Sequence, residues 1–182
     1  ITFNGEIYNY IELREELIQQ GIAFRTETDT EVLLALYHRY GADCLSRLDG
    51  MWALAIWDAD TQELFCARDR FGEKPCHYAQ HKNQIYFASE MKALWAAGVP
   101  KVLRQDKMDA FVADGTLYDA QHLDQTFYEG IFKLPHSHWM RIKTDGQLEI
   151  KRYFDISVDK QDFAGTFEEA CEEFRRLFRA SL

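Results

Sequence analysis

Within the first six residues the chain carries Asn4-Gly5-Glu6: a side-chain amide, a backbone N–H that no side chain obstructs, and a carboxylate. Placed where a strand stops, the Asn4 amide and the Gly5 N–H could converge on a developing oxyanion. Stabilising that charge usually contributes most to acyl transfer. Asn-Gly is also among the commonest turn dipeptides, so a plain turn competes with the catalytic reading. Asp29, in Thr28-Asp29-Thr30-Glu31, is the second candidate. Its structural role would be a helix N-cap. Its functional role would be to hold a substrate ammonium beside a strand-to-helix turn, with Glu6 as a second carboxylate for the same cation.

Other chemistry-bearing types are less suggestive. Arg68-Asp69-Arg70-Phe71-Gly72-Glu73-Lys74-Pro75 mixes both signs of charge before a Gly and a Pro. It reads as an ordered loop tied by local ion pairs. The acidic neighbours and the lack of a Gly-rich cradle speak against phosphate. The six histidines (His38, His77, His81, His122, His136, His138) form no H-E-x-x-H or other ligand set, so no metal is expected. Cys44, Cys66, Cys76 and Cys171 have no recognisable partner for activation and no C-x-x-C spacing. They read as thiols of a reducing compartment, which favours a cytoplasmic protein. No residue of the chain is a credible nucleophile.

These residues need elements to place them. Asn9 with Glu12 reads as the capping box of a first helix that ends before Gly21, with Tyr10, Leu13 and Leu17 on one face. A short strand is expected at Ile22 to Arg25, then a helix from Thr28 to Gly41 burying Val32, Leu33 and Leu36. Met51 to Trp57 is apolar on both faces and must therefore be covered on both sides. Glu63 to Arg68 follows as a strand. His77 to Gln80 and Ile85 to Ala88 form a hairpin around Lys82-Asn83. Ser89 and Glu90 start a short helix ending at Gly98, and another spans Asp106 to Ala113. A less regular stretch runs to Phe132, and His138 to Lys143 pairs with Leu148 to Tyr153 across Asp145-Gly146. Ser157 to Gly165 is linker-like, and Thr166 with Glu169 caps a last amphipathic helix.

At 182 residues the chain can bury roughly 70% of its unfolded surface, so it needs neither disulfides nor a structural metal. Thirty acids against 21 bases give a net charge of −9, which repels nucleic acid and anionic membranes. The longest apolar run, Met51 to Trp57, is too short to cross a bilayer. Short strands between groups of helices indicate an α+β fold of antiparallel sheets covered by helices.

Taken in order, Phe3-Asn4-Gly5-Glu6-Ile7-Tyr8-Asn9-Tyr10, Thr28-Asp29-Thr30-Glu31-Val32-Leu33, Leu48-Asp49-Gly50-Met51-Trp52-Ala53 and Ala67-Arg68-Asp69-Arg70-Phe71-Gly72-Glu73-Lys74-Pro75 resemble the glutamine-hydrolysing asparagine synthetase family. The likeness continues through Phe87-Ala88-Ser89-Glu90-Met91-Lys92-Ala93-Leu94, Tyr128-Glu129-Gly130-Ile131-Phe132-Lys133-Leu134-Pro135 and Arg152-Tyr153-Phe154-Asp155. The resemblance implies a class II glutamine amidotransferase domain with a four-layer αββα sandwich, the fold of N-terminal-nucleophile (Ntn) hydrolases. It implies that an N-terminal cysteine attacks the glutamine amide, with Asn4 and Gly5 as the oxyanion hole. Asp29 and Glu6 would hold the glutamine ammonium. Ammonia would pass to the protein's own C-terminal synthetase domain, where ATP and Mg serve the conversion of aspartate to asparagine.

The family's Cys-Gly-Ile start, its carboxylate-binding arginine and the ATP-binding S-G-G-L-D-S sequence are not in this chain. The expectation is thus an internal fragment, inactive alone. Residues 1–150 would be the glutaminase domain without its N-terminal strands, and 151–182 a connector with the first helix toward the synthetase domain. Cys76-His77 and His136-Ser137 stand where relatives more often carry Leu-Tyr and Pro-Gly. Two alternatives stay open: a class II amidotransferase amidating another acceptor, such as a surface-polysaccharide sugar acid, and a non-catalytic binding module. A homodimer is left open as well.

Overall fold

The computed structural model describes residues 1–115, 122–156 and 163–181. Its organising strand is β2 (Gly50–Asp58), because alternation sends its side chains to two different cores. Trp52, Leu54 and Ile56 face helices α1 (Tyr10–Gln19) and α2 (Asp29–Tyr40), packing with Leu17, Leu33 and Leu36. Ala53 and Ala55 face the opposite way, against Cys76, Tyr78 and Leu134. Strand β3 (Glu63–Arg68) repeats the pattern, with Phe65 and Ala67 toward the helices and Cys66 toward the second core. Small side chains on the inner face let a second sheet approach closely.

The first sheet has the order β1-β2-β3-β7-β8, with β1 at Thr2–Ile7, β7 at His138–Lys143 and β8 at Leu148–Arg152. Neighbours are antiparallel throughout. The second sheet has the order β5-β4-β6, built from β4 (His77–His81), β5 (Gln84–Ala88) and β6 (Ile131–Lys133). Lys82 and Asn83, both at positive φ, make the two-residue turn of its hairpin. On its outer face Ala79 and Ile131 pack against Leu94 of α3 (Met91–Ala96) and Val99. Helices, sheet, sheet and helix thus form the expected αββα layers. The described part is completed by α4 (Gln105–Asp114) and α5 (Phe167–Ala180), the latter opened by the expected Thr166–Glu169 capping box.

Several local expectations are corrected. No strand stops at Asn4-Gly5: β1 runs on to Ile7, and Gly5 sits opposite Trp52. A Cβ at Gly5 would lie 2.6 Å from Trp52 Cα, so the glycine serves close strand contact rather than a turn. Ile22 to Arg25 is not a strand. Ile22 N–H returns to Leu17 O at the end of α1, and the N–H groups of Arg25 and Thr26 go to the Glu31 carboxylate. Asn9 stands at the start of α1 without capping it, since its side chain bridges Arg47 O and Asp49 N–H. A 3₁₀ helix at Gly41–Arg47 and strand β6 were not foreseen. Residues 116–121 of the less regular stretch and 157–162 of the linker-like stretch lie outside the described residues.

Candidate active site

Among the described residues strand β1 pairs with β2 alone, and its two faces do different work. Phe3 and Ile7 pack into the helix-side core. Asn4 and Glu6 alternate onto the other face, where the Cα partner of Asn4 is Ala53, a residue of the core between the sheets. The backbone alternates likewise. Tyr8 N–H is donated to Asp49 O, toward β2, whereas Ile7 N–H is donated away from the sheet to Asp29 Oδ2 at 3.1 Å. By the same alternation Gly5 N–H lies with that of Ile7 on the open edge.

Asp29 is delivered to this edge by α2. It is the first helical residue, not the cap: Thr28 Oγ1 accepts Glu31 N–H and fills that role. Freed from capping, the Asp29 carboxylate accepts from Ile7 N–H and from Thr30 Oγ1. The first turn of a helix is favourable ground for a negative charge. Asp29 therefore sits along the open edge two residues from Gly5, and Glu6 shares the face of Asn4.

A cavity of about 300 Å³ opens between the two sheets beside Asn4. Its walls include Ala53 and Ala55 of β2, Pro75, Cys76 and, from the end of β5, Ala88 and Ser89. Asn4 Nδ2 donates to Ser89 Oγ at 3.2 Å. Glu6 and Asp29 are not part of its lining. Ser89 was not singled out from the sequence as a neighbour of Asn4; its partner is 85 positions away, and no local signal marks it.

The Arg68–Pro75 segment reaches the cavity through Pro75, and the way it is held differs from expectation. Buried Asp69 accepts the N–H groups of Trp52, Phe71, Glu73 and Lys74. Arg68 donates to the carbonyls of Gly72, Lys74 and Leu134. Backbone hydrogen bonds, rather than ion pairs, order the loop; its one described ion pair, Arg70–Asp49, is long at 4.0 Å.

The three buried thiols are poor nucleophiles. Burial pushes the Cys76 thiol up to about 11 and that of Cys44 up to about 12, and raises Cys66 as well. Cys171 lies on α5, which has no residue in the three buried cores. Among the described residues no cluster of His, Cys, Asp or Glu could hold a metal ion, and no helix is long and apolar enough to cross a membrane.

A carboxylate and a backbone donor along β1, with the Asn4 carboxamide on a small cavity of the adjoining face, suit recognition of an amino acid and its amide. The family model described as a glutamine amidotransferase domain matches residues 1–154. The chain belongs to this family. The amidotransferase domain is 40% identical over 154 residues to "Asparagine synthetase [glutamine-hydrolyzing] 1" of Bacillus subtilis (strain 168), covering 85% of this chain and 24% of that protein. It is 35% identical over 179 residues to "Asparagine synthetase [glutamine-hydrolyzing] 3" of the same organism, covering 98% of this chain and 28% of that protein. The chain thus spans about a quarter of the length of these curated relatives. A glutamine phosphoribosylpyrophosphate amidotransferase structure from B. subtilis superposes with a TM-score of 0.62 at 23% identity, covering 85% of this chain and 29% of that one. That likeness shows that the amidotransferase domain shares the layered Ntn fold.

Proposed function

We propose that this domain binds glutamine at the open edge of β1 and supports hydrolysis of its side-chain amide to glutamate and ammonia. Asp29, with Glu6, takes the α-ammonium. The Asn4 carboxamide and Gly5 N–H stabilise the oxyanion that forms when a thiolate adds to the amide carbon. That thiolate is assigned to a residue outside this segment, because the buried thiols here are held protonated and Cys171, on α5, does not line the cavity. The longer protein would then use the ammonia in an ATP- and Mg-dependent synthetase domain, converting aspartate to asparagine, as the names of the relatives suggest.

The observation that carries this reading is the docking of Asp29 on Ile7 N–H, one pleat from the Gly5 N–H on the same open edge. The test is Asp29→Asn in the full-length protein. Loss of a charge-assisted contact of about 1.5–3 kcal/mol should raise the KM for glutamine by roughly 10- to 150-fold. Synthesis driven by added ammonium salt should be unaffected. An unchanged KM for glutamine would remove Asp29 from the site.

A further inference from the structure

We propose that Ser89 is the positioning residue for the Asn4 carboxamide, a role that rests on the assignment of Asn4 to the oxyanion site. Asn4 is exposed, and its side chain has two single bonds to rotate about. A donor left to rotate loses most of its value, because catalysis by charge stabilisation depends on dipoles already aimed before the charge appears. The Nδ2–Ser89 Oγ hydrogen bond occupies one amide N–H and leaves the second for the substrate.

Ser89 is itself fastened from below. Its carbonyl can only accept, so the 3.0 Å contact with His77 Nδ1 is a hydrogen bond donated by the ring, which fixes that nitrogen as the protonated one. Ala88, just before it, is paired with His77 in the β4–β5 ladder. Asn4 belongs to the first sheet and Ser89 extends from the second. The hydrogen bond therefore spans the mouth of the cavity that both residues line, and sets the amide by the spacing of the two sheets.

Ser89 does not touch the reacting amide, so its removal should act only through Asn4. In the full-length protein, Asn4→Ala should lower kcat for glutamine hydrolysis by roughly 10²–10³. Ser89→Ala should lower it by roughly 3- to 10-fold, the worth of one neutral hydrogen bond, with KM for glutamine within about twofold of the parent. Ser89→Thr, which keeps the hydroxyl, should restore kcat. In the Asn4→Ala background, Ser89→Ala should change nothing further, because the group it positions is gone. The denaturant unfolding midpoint of the amidotransferase domain reports its folding in every variant and should hold. A Ser89→Ala loss of equal size with and without Asn4, or no loss where Asn4→Ala has its effect, overturns the positioning role. An unchanged kcat in Asn4→Ala overturns the oxyanion assignment, and this role with it.

Discussion

Position 5 shows how little room β1 leaves for variation. An alanine methyl there would meet the Met51 carbonyl oxygen and stand 2.6 Å from Trp52 Cα. Both are backbone atoms of the paired strand, and no side-chain rotation relieves them. Gly5→Ala should therefore push β1 away from β2, at a cost of about 1–3 kcal/mol, read as a lower denaturant midpoint. An unchanged midpoint would mean that the edge of the sheet is slack. The same missing Cβ explains why Asn4-Gly5 was ambiguous in sequence: it suits a turn and a tight strand contact equally. Asn4, Gly5, Glu6 and Asp29 were legible as types. The placing of Asp29 along the edge of β1 rests on its surrendering the cap to Thr28, and that depends on helix geometry rather than on residue type.

At the scale of elements, the loop after β3 is held by one side chain. Asp69 gathers four backbone N–H groups from β2 and its own loop, and it is fully buried. Asp69→Ala strands those donors without water and should cost about 3–5 kcal/mol. The amides of Phe71, Glu73 and Lys74 should lose their protection from hydrogen exchange. Retained protection would show that the loop is held from elsewhere. The charges of this segment were visible in sequence, but acceptance from backbone N–H groups leaves no mark in the pattern of signs, and so ion pairs were expected. Strand β2 was legible because every residue from Met51 to Trp57 is apolar, which suits a strand covered on both faces, as Trp52 to Ile56 are. Ile22 to Arg25 was not, because an apolar pair reaching the core looks the same with or without a ladder partner. Three-residue β6 becomes a strand only through pairing with β4, a partner more than 50 positions earlier.

For the molecule as a whole, acidification brings two opposing effects. With 30 acids against 21 bases, adding protons relieves general repulsion and should favour the compact state. His77 works against this. Burial first, then the positive charges of Arg68 and Lys133, hold its ring below the usual value of 6.5, although the Ser89 carbonyl favours the protonated form. The unfolded chain therefore takes up this proton before the folded one does. Stability conferred by the neutral ring is complete above pH 6.5 and declines below it, until the folded ring also protonates. Each pH unit between the two titration points corresponds to about 1.4 kcal/mol. Asparagine at this position places an amide N–H near the site of Nδ1 without a titrating group. Denaturant unfolding of the wild type and His77→Asn at pH 7.5 and 5.5 should show the wild type losing stability relative to the variant on acidification. Parallel behaviour would mean that the surroundings of His77 admit a third positive charge beside Arg68 and Lys133 at no cost.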